Sequence, residues 1–126
     1  MGLFNGFLSH PTEVSLKQVS LEYGLILVEG EFIEKGYKVG KDKFIFTNRR
    51  LMIITQTKGE KQEYTTIPYS SIRKFSKECK GLSDTDGELK IWIKEETVPI
   101  RKEFRNCNGV NEIYQILSKY TLAAVA

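Results

Sequence analysis

Histidine and tryptophan each occur once in the 126 residues, cysteine twice and proline three times. Each scarcity removes a class of function. The single histidine, His10, stands before Pro11 and leaves neither a nucleophile–histidine pair nor a two-histidine metal site within one protomer. Two cysteines, Cys79 and Cys107, are too few for a secreted disulfide framework and lack metal-ligand spacing, so they read as reduced cytosolic thiols used in packing. Uninterrupted apolar runs are short, as at Leu25 to Val28, against the roughly 20 residues of a spanning helix. The opening stretch to Glu13 has no basic region and no apolar core suited to a signal peptide. Gly6 stands where a myristoylation signal needs Ser or Thr. No phosphate-cradling glycine pattern occurs. The expectation is a cytoplasmic, non-enzymatic protein with no cofactor and no metal.

What remains is the balance of one ordinary domain: 40% hydrophobic, 28% charged, net charge +3. Area scaling buries about two-thirds of the unfolded surface of such a chain, so a core forms without staples. Ser15 with Gln18 has capping-box spacing, and Leu16, Val19 and Tyr23 continue one helical face towards Glu29-Gly30, weakened by Gly24. From Glu31 the period becomes alternating. Seven strands are predicted over 31–38, 43–47, 50–57, 62–67, 72–79, 88–94 and 98–104, with Pro68 at a corner or edge. Helical spacing returns in Val110, Ile113, Ile116, Leu117 and Tyr120 behind Asn108 as N-cap. The predicted architecture is mainly β with α: a seven-stranded antiparallel curled sheet, capped by a C-terminal helix and preceded by an N-terminal one. The division expected is an N-terminal segment and helix over 1–30 and the sheet domain over 31–126, within one structural domain.

The segments Glu29-Gly30-Glu31, Phe44 to Leu51, Ile67 to Ile72, Phe75-Ser76, Asp84 to Trp92 and the opening Gly2-Leu3-Phe4 together resemble the bacterial pleckstrin-homology (PH-like) domain family. The resemblance covers nearly the whole chain. It implies a split barrel plugged by one helix, assembly into cyclic homo-oligomers, pentameric in single-domain members, and an unknown protein partner bound on a polar face between protomers. Eukaryotic PH domains are a more distant likeness, because their tryptophan lies in the closing helix and Trp92 lies in a strand.

Three groups of residues are candidate contacts. Alternation puts Trp92 opposite Leu89, Ile91 and Ile93, between Lys90 and Lys94, and together with the apolar tip Leu3, Phe4, Phe7 and Leu8 it is a candidate oligomer or partner interface. Residues 31 to 80 hold twelve Lys or Arg against six acids, leaving net -3 in the remainder. Within that segment the first and third turns of a meander share an end, so Lys38, Lys41, Lys43, Lys58 and Lys61 form a candidate rim for anions or lipid headgroups. Glu95 and Glu96 join that rim in the PH arrangement and oppose a phosphate. Asn48, Arg49 and Arg50, in the turn at the other end, are a candidate polar partner surface.

Asp84, Asp86 and Glu88 around Gly87 tempt a calcium reading, but aligning that glycine with an EF-hand puts Leu82 and Ile93 at ligand positions. A hairpin turn explains them. One aromatic between lysines and a charge of +3 make a poor nucleic-acid footprint, so no nucleic-acid partner is expected. The resulting reading is a ring-forming scaffold for protein–protein interaction. The alternative is peripheral binding to anionic lipid at the inner face of the membrane.

Overall fold

A computed structural model describes residues 12–79, 86–105 and 107–122. The tip residues Leu3, Phe4, Phe7 and Leu8, together with His10 and Asp84, lie outside them. The described residues hold eight strands in two sheets, where the sequence predicts seven in one curled sheet. The additional strand, β1 (Thr12–Val14), is too short for an alternating pattern to betray it; it is set by pairing with β2. The chain divides into two compact units, one spanning Thr12–Pro68 and the other beginning at Tyr69.

In the first unit, α1 (Leu16–Tyr23) starts where Ser15 Oγ accepts the Gln18 N–H at 3.3 Å, as the capping spacing predicts. Only Val19 and Tyr23 are buried on it. The helix is shorter than expected: it closes at Gly24, and a 3-10 turn over Gly24–Ile26 replaces its last turn. β2 (Ile33–Val39), β3 (Asp42–Thr47), β4 (Arg50–Gln56) and β5 (Gln62–Pro68) follow as an antiparallel meander. Strand order is β1-β2-β3-β4-β5, so Pro68 ends an edge strand, where its missing N–H leaves no ladder bond unmade.

Register places Gly36, Ile45 and Met52 side by side, with Lys38, Lys43 and Ile54 in the next row but one. Val19 and Tyr23 of α1 pack with Ile33, Ile45, Met52 and Ile54 to form the core on that face. Gly36 permits the approach, since a Cβ there would stand 3.2 Å from Val19 Cγ1 and 3.3 Å from Ile45 Cδ1. The opposite face carries Tyr37, Phe44, Phe46, Leu51 and Ile67, also buried, so β3 reads as a continuous apolar run.

In the second unit, a 3-10 turn (Tyr69–Ser71) leads into β6 (Ile72–Cys79), β7 (Gly87–Ile93) and β8 (Ile100–Phe104), a three-stranded antiparallel sheet. α2 (Cys107–Thr121) closes the chain and buries Cys107, Val110, Ile113, Ile116 and Leu117. The predicted apolar stripe is therefore the buried one, apart from Tyr120 at its end, which is half-buried. Its start differs: Asn108 lies inside the first turn and is not the cap. Phe75 meets Tyr114 edge-to-face at 5.2 Å, and Tyr69 stacks on Tyr120 at 5.1 Å. The cysteines also differ from expectation. They are joined as a Cys79–Cys107 disulfide, with Cα atoms 6.1 Å apart. Sequence spacing could not show this, because only the folding of α2 onto β6 brings positions 28 apart in sequence together.

Candidate functional site

The two turns at one end of the five-stranded sheet build a hollow. The β2–β3 turn pivots on Gly40 (φ 63°) and the β4–β5 turn on Gly59 (φ 72°), left-handed conformations that glycine adopts without steric penalty. Between them lies a cavity of about 630 Å³ lined by Lys38, Lys41, Lys43 and Lys58, with Ile54, Gln56 and Gln62 among its walls. Meander geometry thus brings four of the five rim lysines together; Lys61 does not line the hollow.

The four are not equivalent. Lys38 and Lys43 face one another across β2 and β3, a like-charge pair that needs compensation. Compensation reaches Lys43 from α1: its Nζ lies 3.1 Å from both Glu22 carboxylate oxygens and 5.3 Å from the centre of the Tyr23 ring. Partial burial disfavours the Lys43 charge, but Tyr23 and Glu22 outweigh it and raise the ammonium above its ordinary value. Lys38, Lys41 and Lys58 are exposed and have no ion-pair partner among the described residues. The hollow therefore offers three uncommitted ammonium groups and one committed to the fold.

At the opposite end of the sheet, Asn48 and Arg50 are turned inward on the loop before β2. The Phe32 N–H donates to Asn48 Oδ1 at 2.8 Å, and Asn48 Nδ2 donates to the Gly30 carbonyl at 3.1 Å. Arg50 donates through Nε to Glu31 Oε2 at 2.8 Å and through a terminal nitrogen to Oε1 at 3.0 Å, and it also reaches the Ile26 carbonyl and Thr66 Oγ1. The Glu31 side chain is wholly buried and also accepts from Thr47 Oγ1 at 2.7 Å and the Val28 N–H at 2.9 Å. Burial works to raise its pKa, but these donors prevail and bring it down to about 2. Only Arg49 of the three turn residues is exposed. Sequence reading missed this clamp, because Glu31, just before β2, and Arg50, at the start of β4, are 19 positions apart and belong to strands that are not neighbours in the sheet.

The clamp fixes a loop with an apolar surface. Leu25, Ile26, Val28 and Phe32 on it are exposed, Leu25 completely, and Leu21 on the preceding helix α1 is 80% exposed. In the second unit, Trp92 is on the sheet face away from α2, as alternation predicts, and is half-buried. Its close neighbour is Lys74 across the strand pair, with Nζ 4.5 Å from the ring centre. On the same face Glu78, Glu88 and Glu103 stand in one register row, and Glu88 is engaged by Arg101 and, at 3.8 Å, by Lys90. No group of acids, cysteines or histidines among the described residues could hold a metal ion.

Two sheets with helices place the chain in the PH-like fold class. The chain belongs to the bacterial PH domain family, which matches residues 2–121. It is 36% identical over 121 residues to the uncharacterized protein YjqA of Bacillus subtilis (strain 168), covering 94% of this chain and 97% of that one. Its fold is similar to the crystal structure of a DUF1696 family protein with a pleckstrin-homology domain from Shewanella loihica PV-4, with a TM-score of 0.77, 33% identity, and coverage of 89% of this chain and 97% of the other. A pleckstrin-homology domain from Shewanella amazonensis SB2B matches with a TM-score of 0.66 at 34% identity, over 86% of this chain and 89% of that one. No helix among the described residues is long and apolar enough to cross a membrane.

Proposed function

We propose that this protein is a non-enzymatic interaction module that assembles with copies of itself into a closed cyclic homo-oligomer, a pentamer as the family resemblance implies, and presents repeated protein-binding surfaces. The observation that carries the reading is the exposed apolar stretch Leu21, Leu25, Ile26, Val28 and Phe32. All of these but Leu21, which is on α1, lie on a loop that a buried ion pair keeps in place. Large apolar side chains grouped on a fixed surface favour removal from water by association, at about 25 cal/mol per Å² covered. Light scattering at the exit of a sizing column tests this. The expected result is a single species several times 14.5 kDa at micromolar concentration, shifted to monomer by Leu25→Glu with Phe32→Glu. A species near 14.5 kDa for the unaltered chain would overturn the proposal.

A second reading is favoured by the hollow: peripheral binding of anionic lipid headgroups through Lys38, Lys41 and Lys58. At about 1 kcal/mol per basic residue, one protomer binds such a surface weakly, and a ring presenting every copy together binds usefully. Sedimentation with phosphatidylserine vesicles should show salt-sensitive binding that is lost when the three lysines become glutamate. Absence of pelleting at low salt removes this reading and leaves the first intact.

A further inference from the structure

We propose that Cys79 and Cys107 are a reversible dithiol–disulfide site, which fastens the first turn of α2 to the end of β6 and opens by exchange with a low-molecular-weight thiol. Three features of the second unit support it. The sulfurs come from the last residue of β6 and the first residue of α2, so the bond ties a helix start directly to the sheet edge it packs against. Their 6.1 Å Cα separation lies in the usual range for the bond, so the backbone is placed to close it. Space for the sulfurs is built into β7: Gly87 stands opposite Cys79 in register, and a Cβ there would lie 2.8 Å from Cys107 Sγ and 3.2 Å from Cys79 Sγ.

The surroundings suit the opened state as well. Cys79 is half-buried, whereas Cys107 is 1% exposed, so an incoming thiolate attacks the sulfur of Cys79. The S–S bond breaks and Cys107 departs as thiolate into the first turn of α2, where unpaired backbone N–H groups favour negative charge. It then takes a proton from water, and the resulting S–H donates to the Asp86 carbonyl, 3.6 Å from Cys107 Sγ. A second low-molecular-weight thiol resolves the mixed disulfide at Cys79. In sum, two external thiols become one external disulfide, two electrons enter the protein and both cysteines end as thiols; oxidation reverses each step.

The test uses the full chain equilibrated in glutathione buffers of graded oxidised-to-reduced ratio, quenched with an alkylating agent and weighed by mass spectrometry. Both cysteines should pass together from two alkyl groups to none in a single two-electron transition. The oxidised form should melt about 10 °C above the reduced form, a shift abolished in Cys79→Ser with Cys107→Ser. Two alkylated cysteines in fully oxidising buffer would overturn the proposal. So would a disulfide that glutathione reduces only after the protein is unfolded, because exchange would then not belong to the folded state.

Discussion

At the scale of single residues, Glu31 is the side chain whose chemistry most directly affects stability. Its carboxyl titrates at about 2 in the folded protein, against 4.5 for the free group. Because the folded value is depressed, its contribution is complete above about pH 4.5 and is lost as pH falls towards 2. The shift corresponds to about 3 kcal/mol. Urea denaturation as a function of pH should show that loss, and Glu31→Gln should lower stability at neutral pH by about 3 kcal/mol while flattening the acid limb. An unchanged acid limb in the variant would assign the loss to other carboxylates. Lys43 marks the same division between fold and function. It has the sequence character of a rim lysine, but Glu22 and Tyr23 hold it, so Lys43→Gln should affect stability more than anion binding, whereas Lys41→Gln should do the reverse. Chemical denaturation and vesicle sedimentation on the two variants separate these effects.

At the scale of elements, legibility followed periodicity. The β6 span is the predicted one, and the stripe Val110, Ile113, Ile116 and Leu117 of α2 is buried as its spacing requires. Shortening a side chain there has a defined consequence: Leu117→Ala should lower unfolding free energy by about 2 to 5 kcal/mol in urea titration, since Leu117 is fully buried. Where local pattern competes with long-range contact, reading failed. Gly24 ends α1 early because the apolar residues beyond it, Leu25 and Ile26, are not turned into the core that Val19 and Tyr23 enter. β1 exists only as the partner of β2, and a division into two sheets leaves no mark on strand-by-strand alternation. The hollow was readable because turns alternate ends in any meander. The Glu31–Arg50 clamp and the disulfide were not, because each joins residues that only tertiary structure brings together.

At the scale of the whole molecule, the two readings of the first unit respond differently to salt. Raising ionic strength from about 0.1 M to about 1 M shortens electrostatic reach from about 10 Å to about 3 Å. Self-association through Leu25 and Phe32 should survive that change in sedimentation velocity, while binding of vesicles through Lys38, Lys41 and Lys58 should vanish. Dissociation of the oligomer at high salt would place charge, rather than the apolar stretch, at the contact between copies. The crowding of sulfur around position 87 also constrains how the chain can diverge. A methyl group at 87 would stand 2.8 Å from the Cys107 sulfur, 3.1 Å from Val110 Cγ2 and 3.2 Å from the Cys79 sulfur, so Gly87→Ala should be harmful alone and partly relieved once Cys107 is Ala, as urea denaturation of the single and double variants would show. Position 87 cannot be filled while the sulfur stands: a lineage that abandons the pair must lose the cysteine before it fills the notch, and the order of those two changes is set by steric exclusion.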